Sequence, residues 1–387
     1  MRNVYLDNNA TTGLDPRVLE AMTPYFVETF GNASSIHTYG QRARAAVEDA
    51  RRQVADLLGA QPQEIVFTSG GTESDNTALS GVATALADKG RHVVTTSIEH
   101  PAVLRTCEQL SKQGFVVTYV PVGRDGIVRM DELAKALTDQ TILVSVMHVN
   151  NETGTIQPLQ EIAELTRERR IVFHTDAVQS AGKIPVDLKD LGVDLASFSA
   201  HKLHGPKGVG VLFVRRGVRF KPLLVGGSHE RGRRAGTENV PGIIGVGKAC
   251  ELAREALSDM NTRVRALRDR LEQRILDEIP QSAVNGSRTE RAPHVANISF
   301  RGVEGEALLI SLDFQGVAVS TGSACSSGSL EPSHVLKALG QSQDLIRGSI
   351  RFSLSRMTTE QDIDYVLEIL PPTVARIREM SPLYREG

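Results

Sequence analysis

Cysteine is scarce in this 387-residue chain. Its three thiols, Cys107, Cys250 and Cys325, are too few for a disulfide framework and show no paired metal-ligand spacing. A strong charge of either sign is missing too. The 44 basic and 46 acidic residues leave a formal net charge of -2, which argues against nucleic acid or an anionic membrane as the main partner. No apolar run approaches the roughly 18 to 20 residues that cross a bilayer. Met1 to Asp7 carries neither a basic segment nor a long apolar stretch, so no export signal is expected and a cytoplasmic location follows. Repeats and low-complexity tracts are lacking, as is the Gly-Lys-Ser/Thr ending of a nucleotide P-loop. What remains is a globular composition long enough for two domains.

Short β-rich runs alternate with helical patterns from about residue 65 to 215. The runs 64–67, 92–95, 115–118, 142–146, 171–173 and 195–198 read as strands, and amphipathic segments such as Leu159 to Arg169 lie between several of them. That alternation predicts a mostly parallel sheet covered on both faces. Val209 to Val214 adds a strand of different direction, because the preceding connection is too short for a helical crossover. A long helix is expected over 256–279, ended by Pro280. Separated strands at 296–300, 317–319 and 349–353 follow, among helices near 304–314, 331–339 and 359–378. Thr358-x-x-Gln361 reads as a capping box for the last helix. The expected architecture is α/β. A large domain over 15–255 holds a mostly parallel seven-stranded sheet, and residues 1–14 and 256–387 form a smaller α/β domain.

Two apolar stretches end in polar clusters. Ile171-Val-Phe173 runs into His174-Thr-Asp176-Ala-Val-Gln179, and Leu195-Ala-Ser-Phe198 into Ser199-Ala-His201-Lys202. Buried strands that turn polar at their carboxyl ends deliver side chains to the sheet edge where open α/β folds bind ligands. Here they deliver an acid, an amide, a hydroxyl, an imidazole and a lysine. Pyridoxal phosphate needs that set: a lysine for the Schiff base, a carboxylate to keep the pyridinium nitrogen protonated, and donors for the phenolate and phosphate. A lone lysine after a strand is ordinarily a surface residue, so the set rather than the lysine carries the inference. Asp176 is expected beside the ring nitrogen, Gln179 at the phenolate oxygen, and Lys202 as the Schiff-base lysine and a mobile acid–base group.

Thr68-Ser-Gly-Gly71-Thr72 turns tightly before a helix whose first N–H groups are unpaired, which suits a phosphate at Gly71 and Thr72. The commonplace alternative is a capping box, Thr72-x-x-Asp75. Ser199 and His201, able to reach the same anion, favour the phosphate. His100 follows another strand, where an imidazole can lie on a cofactor ring and relay protons; a helix cap is the alternative. Asn151, in Asn150-Asn151-Glu152, ends a strand in the same way and is a candidate contact for cofactor and substrate.

The cysteines divide. Cys107 and Cys250 lie in helical patterns and read as small buried hydrophobes. Cys325 sits among small residues in Val319 to Pro332 and reads as a loop thiol, a strong nucleophile even when only a few per cent ionised. Arg351, flanked by apolar residues in a strand, suits bidentate capture of a substrate α-carboxylate, with a structural ion pair as the alternative.

Eight stretches in order resemble one family. They are Tyr5-Leu-Asp-Asn-Asn-Ala-Thr-Thr12, Thr68-Ser-Gly-Gly-Thr-Glu-Ser74, Glu99-His-Pro-Ala-Val103, Asn150-Asn-Glu-Thr-Gly154, His174 to Gln179, Ser199-Ala-His-Lys-Leu-His-Gly-Pro-Lys-Gly208, Arg233-Arg-Ala-Gly-Thr-Glu-Asn239 and Ser323 to Pro332. Over essentially its whole length the chain resembles cysteine desulfurases of the NifS/IscS type, within the class V aminotransferases, and looks nearer the nitrogen-fixation branch. The resemblance implies a type I pyridoxal-phosphate fold working as a homodimer, with Thr237 reaching the neighbouring subunit's phosphate. It implies conversion of L-cysteine to L-alanine with a persulfide on Cys325, aided by Lys202 and His100, and sulfur passed to an iron–sulfur scaffold protein. No intrinsic metal is implied; Cys325 would meet a cluster only transiently, with the scaffold. A selenocysteine lyase or another class V aminotransferase is the alternative, and the loop thiol argues against the aminotransferase. The chain departs from the family pattern at Ala33, where proline is usual, and at His148, where an aromatic or apolar residue is common.

Overall fold

The computed structural model describes residues 2–321, 332–381 and 384. In chain order its strands are β1 (Val4–Tyr5), β2 (Ile65–Thr68), β3 (His92–Thr96), β4 (Val116–Val120), β5 (Thr141–Ser145), β6 (Val172–Asp176), β7 (Leu195–Ser199), β8 (Gly210–Val214), β9 (Ser282–Val284), β10 (Val295–Phe300), β11 (Val317–Ala318) and β12 (Ser349–Ser353). Strands β2 to β8 form one sheet in the order β2-β8-β7-β6-β5-β3-β4. Every neighbouring pair is parallel except those of β8, which is antiparallel to both β2 and β7. The short connection from β7 allows no crossover, as the sequence predicts.

Residues alternate between the two faces with the period of a strand. Val93, Leu143, Leu195 and Leu212 pack against the helices Gly71–Leu86 and Pro101–Lys112. Val94, Val144, Ala196 and Phe213 face a second layer that includes the helices Thr38–Leu58 and Val240–Glu255. Interior strands covered on both sides need the near-continuous apolar runs found in the sequence. At the edge, β4 leaves Val116 exposed.

A separate core joins Leu6, Val264, Leu271, Phe300, Phe352, Ile363 and Leu370. Its sheet has the order β12-β10-β9, and β1 pairs with β11. The helix expected over 256–279 is interrupted: Leu257–Asp259 leads into a π-helical turn at Met260–Val264, and the α-helix resumes over Arg265–Glu278. The last helix, Glu360–Met380, is capped one residue later than predicted. Thr359 Oγ1 accepts from the Asp362 N–H at 3.3 Å and Asp362 Oδ2 accepts from the Thr359 N–H at 2.9 Å. Thr358 instead accepts the Ser355 N–H at 3.0 Å. Among the described residues no helix is long and apolar enough to cross a membrane.

Candidate active site

Strands β3, β5, β6 and β7 run the same way, and so does β2, since both β2 and β7 oppose β8. Their carboxyl ends therefore meet at one edge of the sheet. Thr68–Thr72, His100, Asn151, Asp176–Gln179 and Ser199–Lys202 all emerge there.

Lys202 ends a single helical turn after β7. Its Nζ donates to the carbonyl oxygens of Asn9 at 2.5 Å and Ala10 at 2.7 Å. Gln179 Nε2 donates to the same Asn9 oxygen at 3.0 Å. Asn9 is a hub. Its amide nitrogen donates to Asn151 O at 3.0 Å, its Oδ1 lies 3.0 Å from His294 Nε2, and its backbone N–H donates to Ser353 Oγ at 3.0 Å. Asn9 lies within the Tyr5–Thr12 motif, and nothing local to that motif points to these contacts.

Asp176 is buried and accepts the Val178 N–H at 2.9 Å. Burial raises its pKa, while the neighbouring His100 and Lys202 oppose the rise. Asp75 is also buried, and its Oδ1 has no hydrogen-bond partner. Burial and the charge of Asp176 push the Asp75 carboxyl well above its ordinary range. Like charge disfavours ionising both buried carboxyls, and the rise is the larger at Asp75. His174, between Ser145 Oγ and Ser197 Oγ at 2.9 Å each, is pushed down to about 3 by burial. Its 3.6 Å approach to Asp75 is thus not an ion pair.

His100 caps the helix Pro101–Lys112, its Nδ1 accepting the Ala102 N–H at 3.1 Å. The capping alternative is real, but it leaves the ring available. An accepting Nδ1 places the proton on Nε2. Burial lowers the pKa of this imidazole, with Asp176 opposing.

The helix Gly71–Leu86 starts from Gly70 with no side-chain cap, so the box Thr72-x-x-Asp75 does not form. Instead Glu73 accepts the Ser69 N–H at 2.8 Å and pairs with Arg234 Nε at 2.9 Å. A Cβ on Gly71 would stand 2.8 Å from Val178 Cγ2 and 3.7 Å from Ser199 Cβ. Glycine there lets the helix start sit against the ends of β6 and β7. His201 points its Nδ1 at Thr11 Oγ1, 3.1 Å away, and burial together with Lys202 pushes its pKa down to about 4.

Arg351 is among the largest fully buried side chains. Its Nη2 donates to Asp7 Oδ1 at 2.7 Å and its Nη1 to Asn151 O at 3.0 Å, while Nε has no partner. The structural ion pair is therefore formed, directly behind Asn151. Thr237 is exposed, just ahead of the helix Val240–Glu255. Cys107 and Cys250 are buried, each pushed up to about 12 chiefly by desolvation. Cys325 lies outside the described residues. Of the two departures, Ala33 is buried, and His148 is a buried imidazole pushed down to about 4 by desolvation, with Nδ1 unpartnered.

The family described as Aminotransferase class-V matches residues 4–366. The chain belongs to this family. A cysteine desulfurase of Trichormus azollae is 54% identical over 382 residues, spanning 99% of this chain and 95% of the relative. The IscS cysteine desulfurase of Methanosarcina thermophila is 54% identical over 380 residues, 98% of this chain and 94% of its own. Among solved structures, a NifS-like protein superposes with a TM-score of 0.91 at 42% identity, covering 97% of this chain and all of that one. A NifS-like protein from Rickettsia africae gives 0.87 at 31% identity, with coverage of 97% and 100%.

Family members depend on pyridoxal phosphate, and the residues here fit that group. An uncapped helix start offers its N–H groups and positive dipole end to a phosphate beside Ser199. The buried Asp176 carboxyl at the same sheet edge suits a cationic ring nitrogen. Besides Asn9, residue-level reading missed Asp75, the Ser333 hydroxyl donating to buried Glu152 at 2.6 Å, and Lys183, which donates to Gln179 Oε1 at 2.6 Å.

Proposed function

We propose that the chain converts L-cysteine to L-alanine as a pyridoxal-phosphate-dependent cysteine desulfurase. The observation that carries the site assignment is the convergence of Lys202, Asp176, Gln179, His100 and the Gly71 helix start at one sheet edge. Relatives at 54% identity over nearly the whole chain favour this over a selenocysteine lyase or an aminotransferase.

In this reading Lys202 holds the cofactor, Asp176 balances its ring nitrogen, Gln179 donates to its ring oxygen, and Gly71, Thr72, Ser199 and His201 surround its phosphate. When bound, the cofactor supplies an aldehyde for the substrate's amine and a ring that accepts electrons. Lys202 moves a proton at the substrate Cα, and Nε2 of His100 carries one near the same centre. Arg351 and Asn151 hold the substrate. The carboxylate competes with Asp7 and the Asn151 carbonyl for the guanidinium. The thiolate of Cys325 attacks the substrate sulfur. An S–S bond forms as the Cβ–S bond breaks, and Cβ takes up a proton, so one thiol plus cysteine gives one persulfide plus alanine.

The division at 15–255 against 1–14 with 256–387 is supported by the core that joins Val4 and Leu6 to residues 260–377, while Ala292, Val335 and Leu339 pack with residues of the larger part. A homodimer, with Thr237 entering the neighbour's phosphate site, is supported by exposed Phe26, Val27, Phe30, Ile36 and Val225. An iron–sulfur scaffold receives the sulfur. Incubation with L-cysteine should yield alanine and, under reductant, sulfide. Cys325→Ala should abolish sulfide release, and Lys202→Ala should lose the bound-cofactor absorbance band. Undiminished sulfide in the first variant, or an unchanged band in the second, overturns the corresponding assignment.

A further inference from the structure

Lys183 is a buried amine that the proposed chemistry leaves without a task. It follows Gly182, which sits at φ +68°, and its backbone carbonyl accepts from Asn261 Nδ2 at 3.2 Å. The side chain turns inward, only 5% of the residue is exposed, and Nζ donates to Gln179 Oε1 at 2.6 Å. The charged and titratable groups that bear on it are Lys202, Arg351, His201, His204 and His294. None is acidic. Desolvation and the two cations Lys202 and Arg351 hold its pKa well below the ordinary lysine range. A methionine would fill the same space without that cost, so stability alone gives no reason for an amine here.

A side-chain amide is nearly symmetric in shape, and its partners decide which end is oxygen. At Gln179 both ends are dictated. Nε2 faces the Asn9 carbonyl at 3.0 Å, an acceptor, and Oε1 faces the Lys183 amine at 2.6 Å, a donor. Turning the amide over would set oxygen against oxygen at Asn9 and exchange the N–H···O bond from Lys183 for a weaker N–H···N contact. Without Lys183 only the Asn9 contact resists that turn.

We propose that Lys183 is a positioning residue that fixes the orientation of the Gln179 amide, so that its N–H groups rather than its oxygen face the cofactor side. The inference rests on the reading of Gln179 as donor to the cofactor's ring oxygen. A donor there stabilises negative charge on that oxygen. Its loss raises the pH midpoint of the bound cofactor's visible absorbance band, a quantity that a merely space-filling residue would leave alone.

The test is a pH titration of that band in the holoenzyme, with Lys183→Met, Lys183→Gln, Gln179→Leu and the Lys183→Met/Gln179→Leu pair. Lys183→Met should raise the midpoint by about half a unit or more. Lys183→Gln, which keeps an N–H donor, should recover at least half of that rise. In the Gln179→Leu background Lys183→Met should add nothing further. Lys183→Leu gives the same comparison should the methionine variant not fold. A midpoint that moves with Gln179→Leu but not with Lys183→Met overturns this proposal alone. So does a Lys183→Met shift that survives undiminished in the Gln179→Leu background, since the amine would then act by its charge and not through the amide. A midpoint indifferent to Gln179→Leu overturns the Gln179 assignment and this proposal with it.

Discussion

Replacing Glu99 by glutamine should remove a pH dependence of folding stability that this carboxyl imposes. Glu99 is fully buried at the end of β3. Thr96 Oγ1 donates to Oε1 at 2.6 Å, and the Met147 N–H approaches both oxygens at 3.0 and 3.1 Å. Loss of hydration outweighs these donors, the charge of Asp176 acts in the same direction, and the pKa rises from 4.5 to about 8. The native chain therefore keeps a proton that the unfolded chain releases above its own pKa of 4.5. The resulting stabilisation is complete below that value and is lost as the pH climbs through about 8, at up to about 1.36 kcal/mol per unit. Between about pH 5 and about pH 8 the loss is about 3.5 kcal/mol, since the slope is only partial close to either pKa. Glu99→Gln has no proton to lose. Urea unfolding of both proteins without cofactor, at one fixed protein concentration, should show the variant gaining on the parent by that amount across the window. Parallel curves, with a difference that changes by less than about 1 kcal/mol, would refute the reasoning.

Arg51→Ala should cost about 3 to 5 kcal/mol in the same assay, because it strands the buried Glu230 carboxylate now held by two bonds at 2.7 and 2.8 Å. Adding Glu230→Gln, which still accepts the Phe67 N–H, should recover much of that loss. Asp75→Asn mimics a protonated acid and should stay within about 1 kcal/mol of the parent, while a larger loss would show that Asp75 carries charge. Arg351→Lys should raise KM for L-cysteine at least about tenfold, since a point charge cannot present paired N–H groups to the carboxylate that takes the place of Asp7.

The sheet was legible because interior strands carry apolar runs and their polar ends share one edge; neither property needs knowledge of distant contacts. His100, Asp176, Gln179 and Lys202 were proposed on that basis. Local signals failed where the competing choices were equal in local chemistry. Thr358 and Thr359 are both sound caps, and only the reciprocal bond with Asp362 selects the second. The site's remaining parts are set by long-range contacts. The Asn9 carbonyl receives Gln179 and Lys202, residues 170 and 193 positions away, so no periodicity near residue 9 could announce it. Lys183 offered one faint local signal, its spacing of four from Gln179. That spacing is usually read as an exposed helical pair, yet here it lies in a buried turn closed by Gly182. An amine so placed stabilises nothing by itself and restricts how its neighbour can point, which is why its role emerges from the packing of the site and not from the residue type.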